Sequence, residues 1–146
     1  MMLRASCAIP LLIPEIKIDE KPYFDGGIVA PIPVKRAIEQ GYKKHLIILT
    51  NPHGHVKKQD IKDRLVAHLL KKRYPNLVKR IHQFYEHYNE QLAFCHQLES
   101  EGKALILKPN YALKDFEKIL QQINKSYQMG FQQAKERLQE IKQFLS

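Results

Sequence analysis

An acidic residue followed by two glycines, Asp25-Gly26-Gly27, ends a short apolar run in this chain. A Pro-rich turn and a short helical pattern follow it. A carboxylate in such a place can act as a general base when burial makes it more basic. The same residues are also typical of an Asx-turn or of a cap at the end of a strand. Spacing alone supports the two interpretations of Asp25 equally.

The elements around this acid indicate an α/β fold. Residues 15–24 predict a hairpin around Asp19-Glu20-Lys21, in which Pro22 restricts the second strand to an edge or to its first position. A short helix follows Pro33 and stops at Gly41. The apolar run KKHLIILT then predicts a strand that is buried on both faces. Strand, helix and buried strand in this order are typical of α/β proteins.

The second half of the chain is predicted to be mostly helical. One helix starts near Ile61, and a second runs from about Asn76 to Ser100 and stops at Gly102. The run KALILKP predicts another buried strand. Residues 113–145 are predicted to be helical, with a nearly heptad apolar stripe from Leu120 to Leu145, and Gly130 is expected to divide them into two helices. The stripe is expected to pack on its own domain, with self-association as the alternative. Two buried strands need neighbours on both faces, which indicates that part of the domain is missing.

The basic character of the chain is local. The net charge is +9, and residues 57–80 contain nine Lys or Arg against two Asp. A solvated helix face is the default interpretation, and a surface that attracts anionic lipid headgroups is the alternative. Nucleic acid is the least favoured partner, because the sequence has no recognised module and no base-stacking motif.

Cysteines and histidines predict neither a disulfide nor a metal site. Cys7 and Cys95 lack ligand spacing and are expected to be buried apolar residues in a reducing compartment. His53 and His55 form a pair in a loop, but no metal signature is complete, so no metal and no cofactor are predicted. The apolar runs are too short to span a bilayer. The expected location is the cytoplasm, with peripheral contact to a membrane as an option.

Residues 4–52 resemble the patatin-like phospholipase family, particularly its bacterial members. RASCAIP and PIPVKRAIEQGY match the segments that flank the Asp-Gly-Gly element of that family, and residues 73–109 resemble the C-terminal part of a bacterial subgroup. The resemblance implies that residues 1–112 are the C-terminal part of a three-layer α/β/α patatin-like fold, with residues 57–101 as its basic helical region. Residues 113–146 would then be a helical tail.

By this resemblance, Asp25 is the base of a Ser-Asp dyad that hydrolyses ester bonds in phospholipids or related lipids, and Gly26 and Gly27 complete its motif. Family members supply the serine from a Gly-x-Ser-x-Gly elbow and the oxyanion hole from a glycine-rich loop. Neither element is in this sequence, whose serines lack the pattern: Ser6, which is expected at a helix start, and Ser100, Ser126 and Ser146.

The implied function is therefore that of a lipid acyl hydrolase fragment that is inactive alone. One alternative is a non-catalytic basic module that binds a membrane or a protein partner. Another is one half of a split enzyme that is completed by its N-terminal half.

Overall fold

The structure, a computed structural model, describes residues 1–52, 61–110 and 119–146, without the side chains of residues 61–63 and 119–122. The chain divides into two compact units: unit 1 holds Met1–Pro33 and Lys57–Leu92, and unit 2 holds Val34–Val56 and Ala93–Ser146. Helices and strands are mixed, which is compatible with the predicted α/β class. The elements are α1 (Met2–Ser6), β1 (Ile16–Ile18), β2 (Lys21–Tyr23), α2 (Val34–Glu39), β3 (His45–Ile48), α3 (Ile61–Leu70), α4 (Pro75–Ser100), β4 (Ala104–Leu107), α5 (Ile119–Glu136) and α6 (Leu138–Leu145).

The predicted hairpin is confirmed. Strands β1 and β2 pair antiparallel, with Ile16 opposite Tyr23. Asp19 and Glu20 connect them with φ angles of 48° and 61°. Two consecutive residues in the left-handed region form a type I′ turn, whose twist matches that of paired strands. Pro22 lies in β2 of this two-stranded sheet, where its missing N–H is tolerated.

The core of unit 1 is formed by helices α3 and α4. Ala67 and Leu70 of α3 and Ile81 of α4 are buried together. Helix α4 begins at Pro75, a residue whose fixed φ suits the first helical turn. Half-buried side chains pack around the three buried ones: Ile28, Val66, Tyr74, Leu77 and Val78.

The sheet of unit 2 consists of β3 and β4, which pair parallel, with His45 opposite Ala104. Strand β4 is buried at all four positions, as predicted. Strand β3 alternates, and its Leu46 and Ile48 are 38% and 73% exposed. The prediction that β3 is buried on both faces is therefore wrong. An uninterrupted apolar run reports what a strand can bury, whereas burial also requires a neighbour over each face.

Side chains close the outer edge of β4. Leu49 N–H donates to Leu107 O at 2.8 Å, so alternate residues of β4 point their backbone groups away from β3. Those outward groups are bound by side chains from α4 and α5 and from the residue between α5 and α6. The bonds are Ile106 N–H to Glu99 Oε1 (3.2 Å), Arg137 Nη1 to Ile106 O (2.9 Å) and Gln133 Nε2 to Lys108 O (3.2 Å).

Two of the three glycines that were expected to end helices do so. Gly41 and Gly102 have φ angles of 91° and 69° just after α2 and α4. In each case the backbone N–H of the residue after the glycine donates to a carbonyl of the preceding helix, as in a Schellman motif. Lys103 N–H, for example, donates to Leu98 O at 2.8 Å. A residue in the left-handed region is nearly free of strain only when it is glycine, so these glycines directly predicted the helix ends.

The predicted break at Gly130 is wrong. Helix α5 runs through Gly130, and the break comes at Arg137, which precedes α6 with φ −97° and ψ 12°. An exposed helical glycine destabilises a helix by only about 1 kcal/mol, which neighbouring turns can offset. Residues 113–118 of the predicted tail lie outside the described residues.

In the described part of the chain, no helix is long and apolar enough to cross a membrane.

Candidate functional site

Asp25 is held at the junction of β2 and a 3-10 turn, Gly26–Ile28. Its backbone N–H donates to Ala8 O at 3.0 Å, which ties the acid to the segment after α1. Its side chain is half-buried, and Oδ1 accepts from Gly27 N–H at 2.7 Å. This is the Asx-turn that the sequence allowed. It does not exclude a base, because a carboxylate has about four acceptor sites and this bond uses one of them.

The two glycines after the acid have different roles. A Cβ atom at Gly27 would lie 3.0 Å from Asp25 Oδ1, so a larger residue would require the carboxylate to shift by a few tenths of an ångström. A Cβ atom at Gly26 would meet Ser6 Oγ at 3.6 Å, which is ordinary contact. Position 27 is therefore the tighter of the two. Ser6 was expected at a helix start, and this is wrong, because it is the exposed last residue of α1.

Aromatic and ionic contacts fix the backbone next to Asp25. Phe24 meets Tyr74 edge to face, with ring centroids 5.0 Å apart. Arg73 Nη2 lies 2.6 Å from Glu15 Oε1. A backbone hydrogen bond at Glu15, and then the Tyr74 hydroxyl, hold the pKa of Glu15 below its usual value. Burial, and then the bond to Glu15, raise the pKa of Tyr74. The two residues before α4, Arg73 and Tyr74, thus contact the residues that flank the hairpin, Glu15 and Phe24.

An apolar cavity of about 170 Å³ lies beside the Asp25 segment, within unit 1. Ile28 of the 3-10 turn forms part of its wall, and so does Ile9, which follows the Ala8 carbonyl that binds Asp25. Phe84 lies in the helix that was predicted from about Asn76 to Ser100, and the sequence did not predict a cavity there. Such a lining suits a hydrocarbon group. The wall residues are Ile9, Pro10, Ile28, Val66, Ile81, Phe84 and Tyr85.

The two cysteines differ in environment. Cys95 is buried, as predicted, and burial raises the pKa of its thiol to about 11. Cys7 is exposed, so the prediction that it is buried is wrong. It follows the last turn of α1, where the chain leaves the helix, and composition does not predict such a position.

Histidines show no shared site in the described residues. His45 is buried in β3, and His96 lies 3.3 Å from Glu99 on α4. His53 and His55 lie outside the described residues. Among the residues described, no group of three or more His, Cys, Asp or Glu can hold a metal ion.

The Lys and Arg side chains of residues 57–80 are exposed wherever they are described. Arg73 contacts Glu15, whereas the other cations project from α3, from the turn after it and from the start of α4. Positions 57–60 of the predicted surface lie outside the described residues. The exposed cations of the remainder are Arg64, Lys71, Lys72, Arg73, Lys79 and Arg80.

Two family models match this chain in different places. Residues 74–146, half of the chain, match a family described as a domain of unknown function, DUF6363. The chain belongs to the DUF6363 family. The DUF6363 match begins at Tyr74, the residue that contacts Phe24, and it includes α4, β4, α5 and α6.

The second match is to the patatin-like phospholipase family and covers residues 1–38. It supports the patatin-like resemblance and, with it, a lipid hydrolase family. The matched residues contain Asp25, Gly26 and Gly27, which precede the DUF6363 residues in the chain. Searches of curated proteins and of solved structures found no match.

Proposed function

We propose that this chain carries the aspartate of a patatin-like serine acyl hydrolase, with Asp25 as the general base of a Ser-Asp dyad. The observation that carries this proposal is the Asp25 carboxylate, which is fixed 2.7 Å from Gly27 N–H inside a segment that matches the patatin-like family. The nucleophilic serine is supplied from outside these 146 residues, since no Gly-x-Ser-x-Gly occurs in them. It belongs to a preceding segment or to a separate polypeptide.

Asp25 accepts and returns a proton in each of the two half-reactions, acylation and deacylation. The serine Oγ–H gives its proton to the Asp25 carboxylate while Oγ bonds to the ester carbonyl carbon. When the tetrahedral intermediate collapses, the C–O bond of the ester breaks and the leaving alcohol takes that proton. Water then hydrolyses the acyl-serine, with Asp25 again accepting a proton and returning it to Oγ. Gly27 N–H contributes by orienting the carboxylate through Oδ1.

The apolar cavity next to Ile28 supports a lipid ester as substrate. Its volume, about 170 Å³, resembles that of apolar protein cavities that bind one benzene, near 150 Å³. The cavity thus has room for a short part of an acyl chain. A phospholipid or related lipid ester is the substrate class that suits both the cavity and the family match.

The exposed side of β3 in unit 2 supports a domain with further elements. Two-stranded parallel sheets rarely stand alone, and the exposed Leu46 and Ile48 of β3 suit burial under further elements. We propose that β3 and β4 belong to the larger sheet of a three-layer α/β/α fold. Residues 1–112 then form its C-terminal part and residues 113–146 its helical tail.

The first test is hydrolysis by this chain alone. Purified chain is expected to release no product above background from a fluorogenic phospholipid or a p-nitrophenyl ester, because it lacks the nucleophile. Activity that Asp25→Asn removes would show that a nucleophile lies within these residues. That result would overturn the assignment of the serine to another segment.

The second test uses the DNA that precedes the Met1 codon. A coding stretch with a glycine-rich loop and Gly-x-Ser-x-Gly is expected there or in a neighbouring gene. The product should be expressed together with this chain and assayed on the same substrates. Asp25→Asn should lower kcat by about a thousandfold, since it removes the base.

Asp19→Asn is the matched control for the second test. Asp19 is an exposed aspartate six positions before Asp25, in the hairpin turn, where asparagine is tolerated at positive φ. It should keep full activity. If Asp25→Asn also keeps full activity in the complete protein, Asp25 is a turn residue only and the dyad proposal fails.

The second candidate is a non-catalytic module that binds a membrane or a protein partner. The exposed cations of α3 and α4 favour it over other binding roles. Absence of any coding stretch for the serine segment, together with specific binding by the chain, would make it the better assignment.

A further inference from the structure

Helix α3 presents two leucines to solvent. Leu65 and Leu69 are 61% and 59% exposed, whereas Ala67 and Leu70 of the same helix lie in the core of unit 1. Leu65 and Leu69 are four positions apart and therefore share one face of the helix. Exposed leucines on an ordinary surface helix occur singly, so a pair on one face indicates a surface that is covered during function.

A row of basic residues runs beside the leucines. Arg64 and His68 follow the same spacing of four on α3, and Lys72 lies in the turn just after the helix; all three are exposed. From Arg64 to Tyr85 the sequence has six Lys or Arg and no acid. Arg73 contacts Glu15, but the other cations of this stretch face solvent.

We infer that this face of α3 binds an anionic lipid surface. Lysine and arginine attract lipid phosphates and carboxylates, and leucines between them enter the boundary between headgroups and acyl chains. A nucleic acid would satisfy the cations but would leave Leu65 and Leu69 against a polar backbone. Exposed leucines on α3, together with exposed cations on α3 and in the turn after it, favour a membrane over a nucleic acid. This contact is independent of Asp25 and of any hydrolysis.

The test is co-sedimentation of the full chain with vesicles of phosphatidylcholine, with and without phosphatidylserine. Binding is expected only with phosphatidylserine, and it should weaken as salt rises. Arg64→Gln with Lys72→Gln should lower the partition coefficient about 25-fold, at roughly fivefold for each cation. Leu65→Ser with Leu69→Ser should lower it by about tenfold, because less apolar surface is buried.

Matched controls come from unit 2, which also offers exposed leucines and lysines. Leu138→Ser with Leu145→Ser and Lys125→Gln with Lys135→Gln remove the same groups elsewhere. Both control proteins should bind as the parent does. If they lose binding as strongly as the α3 variants, attraction follows net charge or general apolarity, and the assignment to α3 is wrong.

A fluorescence measurement tests the same face without removing it. The chain has no tryptophan, so Leu69→Trp introduces a single reporter on α3 and Leu145→Trp introduces one on α6. Emission from position 69 should shift to the blue with phosphatidylserine vesicles, and emission from position 145 should stay unchanged. No shift at position 69, or tighter binding to an oligonucleotide that both α3 leucine-to-serine changes leave intact, would overturn the inference.

Discussion

The two small sheets of this protein are stabilised in opposite ways. Strands β1 and β2 are neighbours in sequence, and all of β2 is exposed. Strands β3 and β4 pair residues 59 positions apart, His45 with Ala104, and all of β4 is buried. The hairpin before Asp25 is thus shaped by its turn, whereas the sheet of β3 and β4 depends on burial between distant parts of the chain. A substitution should therefore act on the first through backbone conformation and on the second through packing.

The largest effect is expected from Ile106→Ala at the centre of β4. Ile106 is 1% exposed, and its truncation should lower the free energy of unfolding by about 3–4 kcal/mol. Ile48→Ala on β3 removes the same atoms at a site that is 73% exposed, and it should change stability by less than about 1 kcal/mol. Urea unfolding followed by circular dichroism measures both. Equal losses would show that the open face of β3 is covered in solution.

The next effect concerns Cys95, on the helix that also binds β4 through Glu99. The thiol ionises near its ordinary pKa of 9.0 when unfolded and at about 11 when folded. Between these values only the unfolded state loses the proton, so the free energy of unfolding falls as pH rises. The fall should reach about 2–3 kcal/mol relative to Cys95→Ala, measured by urea unfolding at pH 8 and pH 11. Parallel pH profiles for the two proteins would contradict the burial of this thiol.

The smallest effect belongs to the hairpin. Glu20 adopts φ 61°, a conformation that strains a residue with a side chain. Glu20→Gly should raise the free energy of unfolding by about 1 kcal/mol by removing this strain. Lys17→Gly, in β1, should lower stability instead, because glycine is unfavourable within a strand. Thermal unfolding measures whether each variant is more or less stable than the parent. Destabilisation by Glu20→Gly would show that the Glu20 side chain makes a stabilising contact.

Local signals in the sequence predicted the local structure well. The hairpin, the ends of α2 and α4 at Gly41 and Gly102, and the buried strand β4 all depend on neighbouring residues or on apolar runs. The sequence also allowed the Asx-turn at Asp25. The turn, the helix ends and the Asx-turn need no information about distant parts of the chain, whereas the burial of β4 also depends on its neighbours.

Long-range features were not predictable from pattern. The break before α6 occurs at Arg137, whose guanidinium binds Glu140 and the carbonyl of Ile106, 31 positions earlier. The break was predicted at Gly130 because glycine has a low helix propensity, and propensity contains no information about distant partners. The exposure of Leu46, and the cavity that joins Ile9 to Phe84, likewise depend on which elements meet in space.

The side-chain closure of β4 has a consequence for assembly. Glu99 and Arg137 occupy the outward N–H and C=O of Ile106, so another strand cannot extend the sheet at that position. Any added strand must join at β3. A sheet that accepts neighbours on one side only can pair two chains β3 to β3, after which both partners present closed edges. The sheet of unit 2 can therefore grow from β3 and not from β4 at the position of Ile106.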